Sequence, residues 1–460
     1  MRRGAILFLL VASISTPLGR ASERPPNVVL ILADDLGLNP VGAYGNPYAA
    51  TPVLDQFARE GLVFTAAYAA APVCSPSRAA MMTGKSPART RLTDFVPGHP
   101  FPYARLLQPK WRKSLNEKLL PHLLAERGYI TGVFGKWHVP NRYTPPSPTH
   151  DASPRHGFHE AFITEKPSED STPETDPHSV HVIKQRALSF IERHQHAPFF
   201  LHLAPHTIHS PLIAPAALET KHRLRPGAQL PENNPIIAAM MEELDAAIGE
   251  VLAKLDALNL AQDTLVIFAS DNGGSLKDAT QAPLRGGKAQ PYEGGLRVPL
   301  IMRWPGTIAA GTTTDVLTTS TDLFATVLDV TGTSLSDDEP QDSVSLLPVL
   351  RGESPHSPRP LIWHYPHYHT AGVRGPASAI RHADWKLIHY YEHALTAHGT
   401  GDELFNLRDD PGEARNLILE QPTRAAELLA TLQQHLSAAG AQLPTINENF
   451  DPARATQLRP

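Results

Sequence analysis

The sequence predicts an α/β protein, with a large, mostly parallel or mixed central sheet flanked by helices and a smaller C-terminal antiparallel sheet plus helix. Continuous apolar runs, typical of strands buried on both faces, alternate with amphipathic helical patterns along residues 27–269. After about residue 345 the apolar runs shorten, turns separate them, and one helical pattern follows. We therefore expect a first domain over residues 22–345 and a C-terminal subdomain over residues 346–460.

The elements of the first domain follow from the spacing of apolar residues. The run Asn27–Ala33 is apolar and rich in β-branched residues, which predicts a strand buried on both faces. Further strands are predicted over residues 130–134, 198–204 and 264–269. Helices are predicted over residues 51–61 and 114–128, each ending in glycine, and over residues 237–258, whose apolar stripe consists of Met241, Leu244, Ile248, Val251 and Leu255.

The C-terminal subdomain has a different pattern. Short strands separated by turns are predicted over residues 362–365, 383–391 and 403–407. One helix follows, marked by Ala425, Leu428, Leu429, Leu432 and Leu436. We expect this helix to pack against a small antiparallel sheet beside the main domain.

The first 21 residues have the pattern of a secretory signal peptide. Arg2 and Arg3 precede the apolar stretch Ala5–Ile14, which is too short to span a bilayer, and Gly19–Ala21 has the small residues of a cleavage site. We expect export to the periplasm or the exterior, with no stable membrane insertion after cleavage. An uncleaved membrane anchor is the alternative.

The charge and the cysteine content of the chain limit the kinds of function that it can have. The net charge is -5 and no block of Lys or Arg stands out, which argues against nucleic-acid binding. Cys74 is the only cysteine in 460 residues, so no internal disulfide can form. In an exported protein such a cysteine is either a spare buried thiol or a chemically reserved residue.

Four polar clusters follow predicted strands or open a predicted helix, where an α/β sheet places its ligand crevice. The four are Asp34-Asp35, Cys74–Arg78, Gly135–His138 and Asp271–Gly274. Adjacent carboxylates repel each other unless a cation lies between them, and carboxylate and carboxamide oxygens favour Ca²⁺ or Mg²⁺. Asp34-Asp35, Gly135–His138 and Asp271–Gly274 are each, taken alone, more typical of a solvated turn. The alternative for Cys74 is a buried structural thiol, which the complete five-residue pattern Cys74–Arg78 disfavours.

The remaining side chains suit an anionic ligand. A helix predicted from Ser77, with Pro76 in its first turn, presents free N–H groups, and Arg78 adds a forked donor. Lys136 could bind an anionic oxygen, and His138 could move a proton near neutral pH. Two further segments offer cationic or titratable side chains, namely Pro205–Pro211 with its two histidines and Pro283–Lys288 with a lysine on a glycine turn.

These six segments, in this order, resemble the type I sulfatases of the alkaline phosphatase superfamily, from about Pro26 to the C-terminus. In that family the pattern Cys-x-Pro-Ser-Arg directs a maturation enzyme to oxidise the cysteine to formylglycine. Further similar stretches lie at Glu293–Pro299, Arg303–Gly306, Asp384–Leu387, Glu403–Leu407 and Asp410–Glu413. The chain departs from the family where Val139-Pro140 replaces the usual Leu-Gly after the Lys-Trp-His motif.

The resemblance implies a site and a mechanism. One Ca²⁺ would be bound by Asp34, Asp35, Asp271, Asn272 and residue 74 as hydrated formylglycine. The sulfate would be surrounded by Arg78, Lys136, His138, His206 and Lys288, with His209 as an alternative to His206. One hydroxyl of the formylglycine hydrate would attack sulfur, His206 or Lys288 would protonate the leaving alcohol, and His138 would take the proton of the second hydroxyl.

The substrate is less clearly indicated. The run Trp363–His369, with Pro444–Asn447 and Phe450–Pro452, resembles bacterial sulfatases that act on sulfated glycans. We expect exo-desulfation of a sugar, with galactose or N-acetylgalactosamine sulfate favoured, or hydrolysis of an aryl sulfate. Expected substrate contacts are His209, Arg285, His364 and His367. The alternatives are a phosphatase or phosphonate monoester hydrolase of the same superfamily, a non-catalytic glycan-binding protein, and a structural exported protein with a spare thiol.

Overall fold

The computed structural model describes residues 25–142, 156–335, 341–353, 358–371 and 375–458, so the predicted signal peptide lies outside the described residues. The strands are β1 Asn27–Ala33, β2 Leu62–Phe64, β3 Ala67–Tyr68, β4 Leu106–Leu107, β5 Ile130–Gly135, β6 Glu160–Ile163, β7 Phe199–Ala204, β8 Thr264–Ser270, β9 Leu300–Arg303, β10 Thr312–Thr314, β11 Thr318–Thr319, β12 Leu361–Tyr365, β13 Ala377–His382, β14 Trp385–Tyr390, β15 Glu403–Asn406 and β16 Thr445–Ile446. The α-helices are α1 Pro52–Glu60, α2 Cys74–Thr83, α3 Pro87–Thr90, α4 Leu120–Glu126, α5 Val180–Arg193, α6 Ala216–Arg223, α7 Pro235–Ala257, α8 Glu293–Leu296, α9 Asp322–Val330, α10 Leu347–Leu350, α11 Tyr391–Thr396 and α12 Pro422–Ala438.

The main sheet has eight strands in the order β10-β2-β9-β8-β1-β7-β5-β6. β1 lies at its centre and runs parallel to both neighbours, β7 and β8. β9 is antiparallel to β8 and β2, so the sheet is mixed. The predicted α/β class with a mostly parallel or mixed central sheet is confirmed.

Helices cover both faces of this sheet. Alternate side chains of a strand point to opposite faces, and Val28 and Leu30 of β1 accordingly join one apolar core while Val29 and Ile31 join the other. The first core also contains side chains of α2, α4 and α9, and the second those of α1, α5 and α7. All five residues of the stripe predicted on α7 are buried in the second core.

Two helices start three or more residues away from their predicted first residue. The helix predicted over residues 114–128 is confined to α4, because Pro121 is tolerated only in a first turn and fixes the start there. Leu115 before it exchanges backbone hydrogen bonds with Pro140 and Arg142. The helix predicted from Ser77 begins earlier, at Cys74, because Pro76 then occupies a first-turn position that needs no N–H donor.

The C-terminal strands form an antiparallel sheet in the order β12-β13-β14-β15, and α12 packs on it through Ala425, Leu428, Leu432 and Leu436. The predicted small antiparallel sheet plus helix is confirmed. β13 was not predicted, because Ser378 and Arg381 interrupt its apolar pattern, and the strand predicted from residue 383 starts at Trp385, after Ala383 in a left-handed turn.

The division between residues 345 and 346 stays a prediction, and Leu346, Leu347 and Leu350 beyond it still pack in the first core of the main domain. No helix in the described ranges has both the length and the apolar character needed to cross a membrane.

Candidate active site

The candidate site lies at the carboxyl ends of four neighbouring strands, where parallel strands of an open sheet leave a crevice. Asp34 and Asp35 follow β1, Lys136 and His138 follow β5, His206 follows β7, and Asp271 and Asn272 follow β8. The order β8-β1-β7-β5 brings these residues to one edge of the sheet.

Cys74 is the first residue of α2 and is buried, with 2% of its surface exposed. Its thiol lies 3.8 Å from Oδ1 of Asp35. Burial raises the pKa of the thiol to about 12, against the opposing influence of Lys136 and Lys288. The unmodified thiol is therefore protonated at neutral pH and is a poor nucleophile, since the thiolate is the reactive form of cysteine.

Three buried carboxylates pair with three cations around this thiol. Lys136 Nζ lies 2.7 and 2.8 Å from the two oxygens of Asp34. Lys288 Nζ lies 2.6 Å from Oδ2 of Asp35. Arg78 donates from Nε to Oδ2 of Asp271 at 2.7 Å and lies 3.4 Å from Asp34. The cluster therefore places positive and negative charge in close contact inside the protein, where electrostatic interactions are strong.

The cations decide the ionisation of two of these carboxyl groups. Burial alone would raise the pKa of Asp34, but Lys136, His209 and Arg78 hold it well below its usual value. At Asp35 burial likewise raises the pKa, whereas Lys288 and His209 lower it, and the pKa of that carboxyl group lies below its usual value. Both groups therefore carry a negative charge at neutral pH.

The oxygen atoms of this cluster could hold a divalent cation. The Cys74 sulfur and one oxygen each from Asp34 and Asp271 all lie within 4.8 Å of one another. Oδ1 of Asn272 is buried and has no hydrogen-bond partner among the described residues, while its Nδ2 donates to Asp35 at 2.8 Å. Carboxylate and carboxamide oxygens are the ligands of hard cations, so the donor set fits Ca²⁺ or Mg²⁺.

The two histidines after β7 have different surroundings. Nε2 of His209 lies 3.7 Å from Oδ2 of Asp35, and the ring nitrogen, a carboxylate oxygen of Asp35 and the Cys74 sulfur lie within 4.8 Å of one another. Nδ1 of His206 lies 3.7 Å from Asp34, and its Nε2 is 3.2 Å from the carbonyl of Thr164. Burial lowers the pKa of His206 to about 4, so its ring is neutral.

His138 lies beside the cluster with its ring held by the backbone. Nε2 donates to the carbonyl of Val96 at 2.8 Å, and φ is 54°, a left-handed conformation. Burial, then Lys136, lowers its pKa to about 3. The proton of the neutral ring is therefore on Nε2, and the buried Nδ1, which has no partner among the described residues, is available to accept a proton.

The turn after β8 packs closely against the segment that carries Lys288. The backbone N–H of Lys288 donates to the carbonyl of Gly274 at 2.9 Å. A Cβ at Gly273 would lie 2.0 Å from the carbonyl oxygen of Gly294, so no side chain fits at that position. This close approach holds Lys288 beside Asp35.

Three of the expected substrate contacts are not brought to this cluster. Arg285 donates to the carbonyl of Glu413 at 2.7 Å and stacks over Tyr292. The Tyr292 hydroxyl in turn donates to Glu403 of β15, in the C-terminal sheet. Both ring nitrogens of His364 are engaged, by Ser378 and the carbonyl of Gln442. His367 is buried, and its Nε2 is 2.7 Å from the Thr93 hydroxyl. The Arg285 and His367 contacts join the main domain to the C-terminal subdomain, whereas the His364 contacts lie within that subdomain.

Sequence reasoning missed two contributors to the site. Thr164, directly after β6, contacts His206 through its hydroxyl and carbonyl oxygens. It could have been found, because a polar residue that follows a parallel strand points to the same sheet edge. Val96 holds the His138 ring through its carbonyl, and its N–H donates to Ser75. No pattern marks this loop residue, since it acts through its backbone.

Comparisons with known proteins identify the family of the chain. The family model described as Sulfatase matches residues 26–333, and the model described as N-sulphoglucosamine sulphohydrolase, C-terminal, matches residues 287–442. Arylsulfatase A of Homo sapiens is 32% identical over 494 aligned residues, covering 96% of this chain and 92% of that protein. N-acetylgalactosamine-6-sulfatase of Homo sapiens is 30% identical, covering 93% of this chain and 88% of that protein.

Solved structures share the fold over most of the chain. Ps i-CgsB superposes with a TM-score of 0.73 at 25% identity, covering 90% of this chain and 93% of that chain. The phosphonate monoester hydrolase of Agrobacterium radiobacter has a TM-score of 0.66 at 19% identity, covering 91% and 96% of the two chains, which is a likeness of fold alone. With the family model matching more than half of its length, the chain belongs to the sulfatase family of the alkaline phosphatase superfamily and is a sulfuric ester hydrolase.

Proposed function

We propose that this enzyme removes sulfate from a sulfated sugar, using formylglycine made from Cys74 and one calcium ion. The observation that carries the proposal is the buried cluster in which the Cys74 sulfur lies among Asp34, Asp35 and Asp271 with Arg78, Lys136 and Lys288 around them. Fixed positive charge in a buried site stabilises the negative charge that develops on sulfate oxygens during transfer.

Residue 74 has to be modified for this chemistry. The pKa of its thiol is raised to about 12, so the thiol itself does not supply a nucleophile at neutral pH. The segment Cys74–Arg78 matches the pattern read by a formylglycine-generating enzyme. A hydrated formylglycine supplies a hydroxyl to attack sulfur and a second hydroxyl whose deprotonation releases the sulfate.

Calcium is the cation that this donor set suits best among common hard ions. Asp34, Asp35, Asp271 and the unpartnered Oδ1 of Asn272 would hold it, with residue 74 completing the set. Ca²⁺ accepts a site built of several protein oxygens, whereas Mg²⁺ usually keeps several waters and is bound by one or two carboxylates. The ion would neutralise negative charge on the sulfate oxygens.

The chain's own side chains would bind the sulfate and move protons. Arg78, Lys136 and Lys288 would donate to its oxygens. His138 would accept a proton at Nδ1, the ring nitrogen left free by the Val96 contact. For the proton delivered to the leaving alcohol, we infer His209, with Lys288 as the second candidate, because His209 and not His206 lies in one group with Cys74 and Asp35.

The sugar assignment rests on relatives and on chemistry. One relative is named N-acetylgalactosamine-6-sulfatase, and Ps i-CgsB has also been solved in complex with k-i-k-neocarrahexaose. We favour galactose or N-acetylgalactosamine sulfate as the substrate, with an aryl sulfate as the simpler alternative.

We also propose that residues 1–21 direct export to the periplasm or the exterior. N-terminal sequencing of the mature protein, which we expect to start near Ser22, would test the export signal.

The decisive experiment compares sulfate and phosphate release from matched esters of one alcohol, including sulfated galactosides. Protein produced with a formylglycine-generating enzyme is compared with protein produced without it and with Cys74→Ala, and mass spectrometry identifies residue 74. We expect sulfate release that requires the maturation enzyme and is lost in Cys74→Ala. Preferential phosphate or phosphonate release, or activity that survives the substitution, would contradict the proposal.

A further inference from the structure

Three rings pack against one another beside the candidate active site, and the site chemistry described so far uses none of them. Phe95 lies 4.7 Å from His99 and 5.3 Å from His369 between ring centroids. His99 and His369 lie 4.9 Å apart. All three side chains are half-buried, so each keeps a surface open to a ligand. We call Phe95, His99 and His369 the ring cluster.

The ring cluster borders the catalytic residues on two sides. Phe95 packs on the apolar group of Val73, Ala289 and Tyr365, and two of these directly adjoin Cys74 and Lys288 in the chain. The next residue, Val96, contacts both Ser75 of α2 and the His138 ring. A substrate whose sulfate reaches residue 74 therefore places the rest of its ring near these side chains.

The imidazoles of the ring cluster are neutral hydrogen-bonding groups. The N–H of Ala371 donates to Nδ1 of His369 at 2.9 Å, so the ring proton is on Nε2, which is left as a donor. Nδ1 of His99 is buried and has no partner among the described residues. Burial, with His99 and Lys288, lowers the pKa of His369 to about 3, and burial, with Lys277, lowers the pKa of His99.

The surrounding structure holds the ring cluster rigidly. Asp94 accepts from the Tyr365 hydroxyl at 2.9 Å and thereby ties the loop of Phe95 to β12. Tyr368, next to His369, accepts at its hydroxyl from the N–H of Leu106 at 3.2 Å and packs on Phe101. A binding surface held in place by such supports loses little freedom when a ligand binds.

We propose that Phe95, His99 and His369 form the subsite for the sugar ring that carries the sulfate ester, with His99 and His369 reading its hydroxyl groups. The proposal rests on the proposed function and names the selectivity of the same site. Aromatic faces pack on the apolar face of a sugar, and neutral imidazoles exchange hydrogen bonds with hydroxyls. A plain aryl sulfate can pack on the aromatic side chain, but it has no hydroxyl groups to form hydrogen bonds with the two imidazoles.

The test compares two substrates on one enzyme. The kcat/KM for a sulfated galactoside is divided by the kcat/KM for 4-nitrophenyl sulfate, which cancels any general damage to the catalytic residues. His369→Phe keeps a ring and removes the Nε2–H donor, whereas His369→Gln keeps a donor at a similar reach. We expect the ratio to fall about tenfold in His369→Phe, the value of one lost hydrogen bond. We expect at least partial recovery in His369→Gln.

Controls separate this inference from the proposed function. His196→Phe, an exposed histidine before the opposite end of β7, should leave the ratio unchanged. Calorimetric binding of the sulfated galactoside to Cys74→Ala, with and without His369→Phe, measures recognition without turnover, and a loss of affinity on the second substitution is expected. If His369→Phe and His99→Phe change neither the ratio nor the affinity, the inference is wrong, and the proposed sulfatase reaction is unaffected. Absence of sulfate release from both substrates by the matured enzyme would overturn the proposed function itself.

Discussion

Nε2 of His209 lies 3.7 Å from Oδ2 of Asp35, on the side of the cluster that holds the Cys74 sulfur. His206, three residues earlier, instead faces Asp34 and donates to the Thr164 carbonyl. Nδ1 of His209 lies 2.7 Å from the Ser210 carbonyl and donates to it, so Nε2 is the ring nitrogen that faces Asp35 and Cys74.

This difference predicts which histidine protonates the leaving alcohol. We expect His209→Ala to lower kcat on a sulfated sugar by roughly 100-fold or more, the usual loss of a general acid. The loss should be much smaller on 4-nitrophenyl sulfate, whose leaving phenolate needs no proton. His206→Ala should reduce both rates by similar, smaller factors. If the loss of rate depends on the leaving group in His206→Ala but not in His209→Ala, then His206 is the residue that protonates the leaving alcohol.

The oxygen donors predict calcium-dependent stability. Calcium at about 100 times its dissociation constant should stabilise the protein by about 2.7 kcal/mol against unfolding. Asp271→Asn and Asn272→Ala should weaken calcium binding, measured by calorimetry, whereas Asp315→Asn, an exposed carboxyl group of the same domain, should not. Loss of activity on zinc chelation but not on calcium removal would contradict the assignment and favour a transition-metal phosphatase.

A buried ion-pair network joins the main domain to the C-terminal sheet. Lys386 on β14 is fully buried, and its Nζ lies 2.9 Å from both Oε1 of Glu293 and Oε1 of Glu413. Lys386→Met would leave Glu413 buried without its paired cation and Glu293 with only the more distant Arg381 and Arg297, at 3.9 and 4.0 Å. We therefore expect a loss of about 3 kcal/mol in the free energy of unfolding.

The matched control for this substitution is Lys184→Met. Lys184 pairs with Glu250 at 2.8 Å on the surface, where half of the Glu250 side chain is exposed. An exposed pair contributes about 0–1 kcal/mol, so this variant should differ little from the wild type. Urea unfolding of both variants provides the comparison, and equal losses would show that the network does not stabilise the domain junction.

Asp94 predicts a pH dependence of stability. Burial raises the pKa of this carboxyl group to about 7, against hydrogen bonds from Tyr365 and the Phe95 N–H, from an ordinary value of 3.8. The folded protein therefore holds a proton that the unfolded chain releases above that value. The resulting stabilisation is complete below pH 3.8 and is lost as the pH rises towards 7.

Asp94→Asn removes this titration and keeps an acceptor for Tyr365. We expect the difference in free energy of unfolding, wild type minus variant, to decrease by on the order of 3 kcal/mol between about pH 4 and 7. Urea unfolding at several pH values measures it. A difference that stays constant or grows over that range would show that Asp94 is not held protonated.

Much of the fold could be predicted because burial leaves a local signature. The run Val28–Ala33 is apolar at every position, since β1 lies between two layers of helices, and the strand Asn27–Ala33 contains it. The stripe on α7 was equally clear. β13 escaped prediction because its polar residues face neighbours that only the folded chain supplies. Ser378, for example, contacts His364 and Tyr391.

The candidate site also combines residues that the sequence predicted with contacts that only the structure shows. The sequence by itself predicted the candidate reactive residue, the carboxylates and the cations, because each lies within a short motif, in most cases directly after a strand or at the start of a helix. Only the tertiary structure decided that Cys74 and His209 meet at Asp35, and that Arg285, His364 and His367 have other partners. It alone also brought Phe95, His99 and His369 together beside the site. The physical reason is that strand burial and helix starts are set by neighbours in the chain, whereas the partner of a loop side chain depends on where distant segments cross.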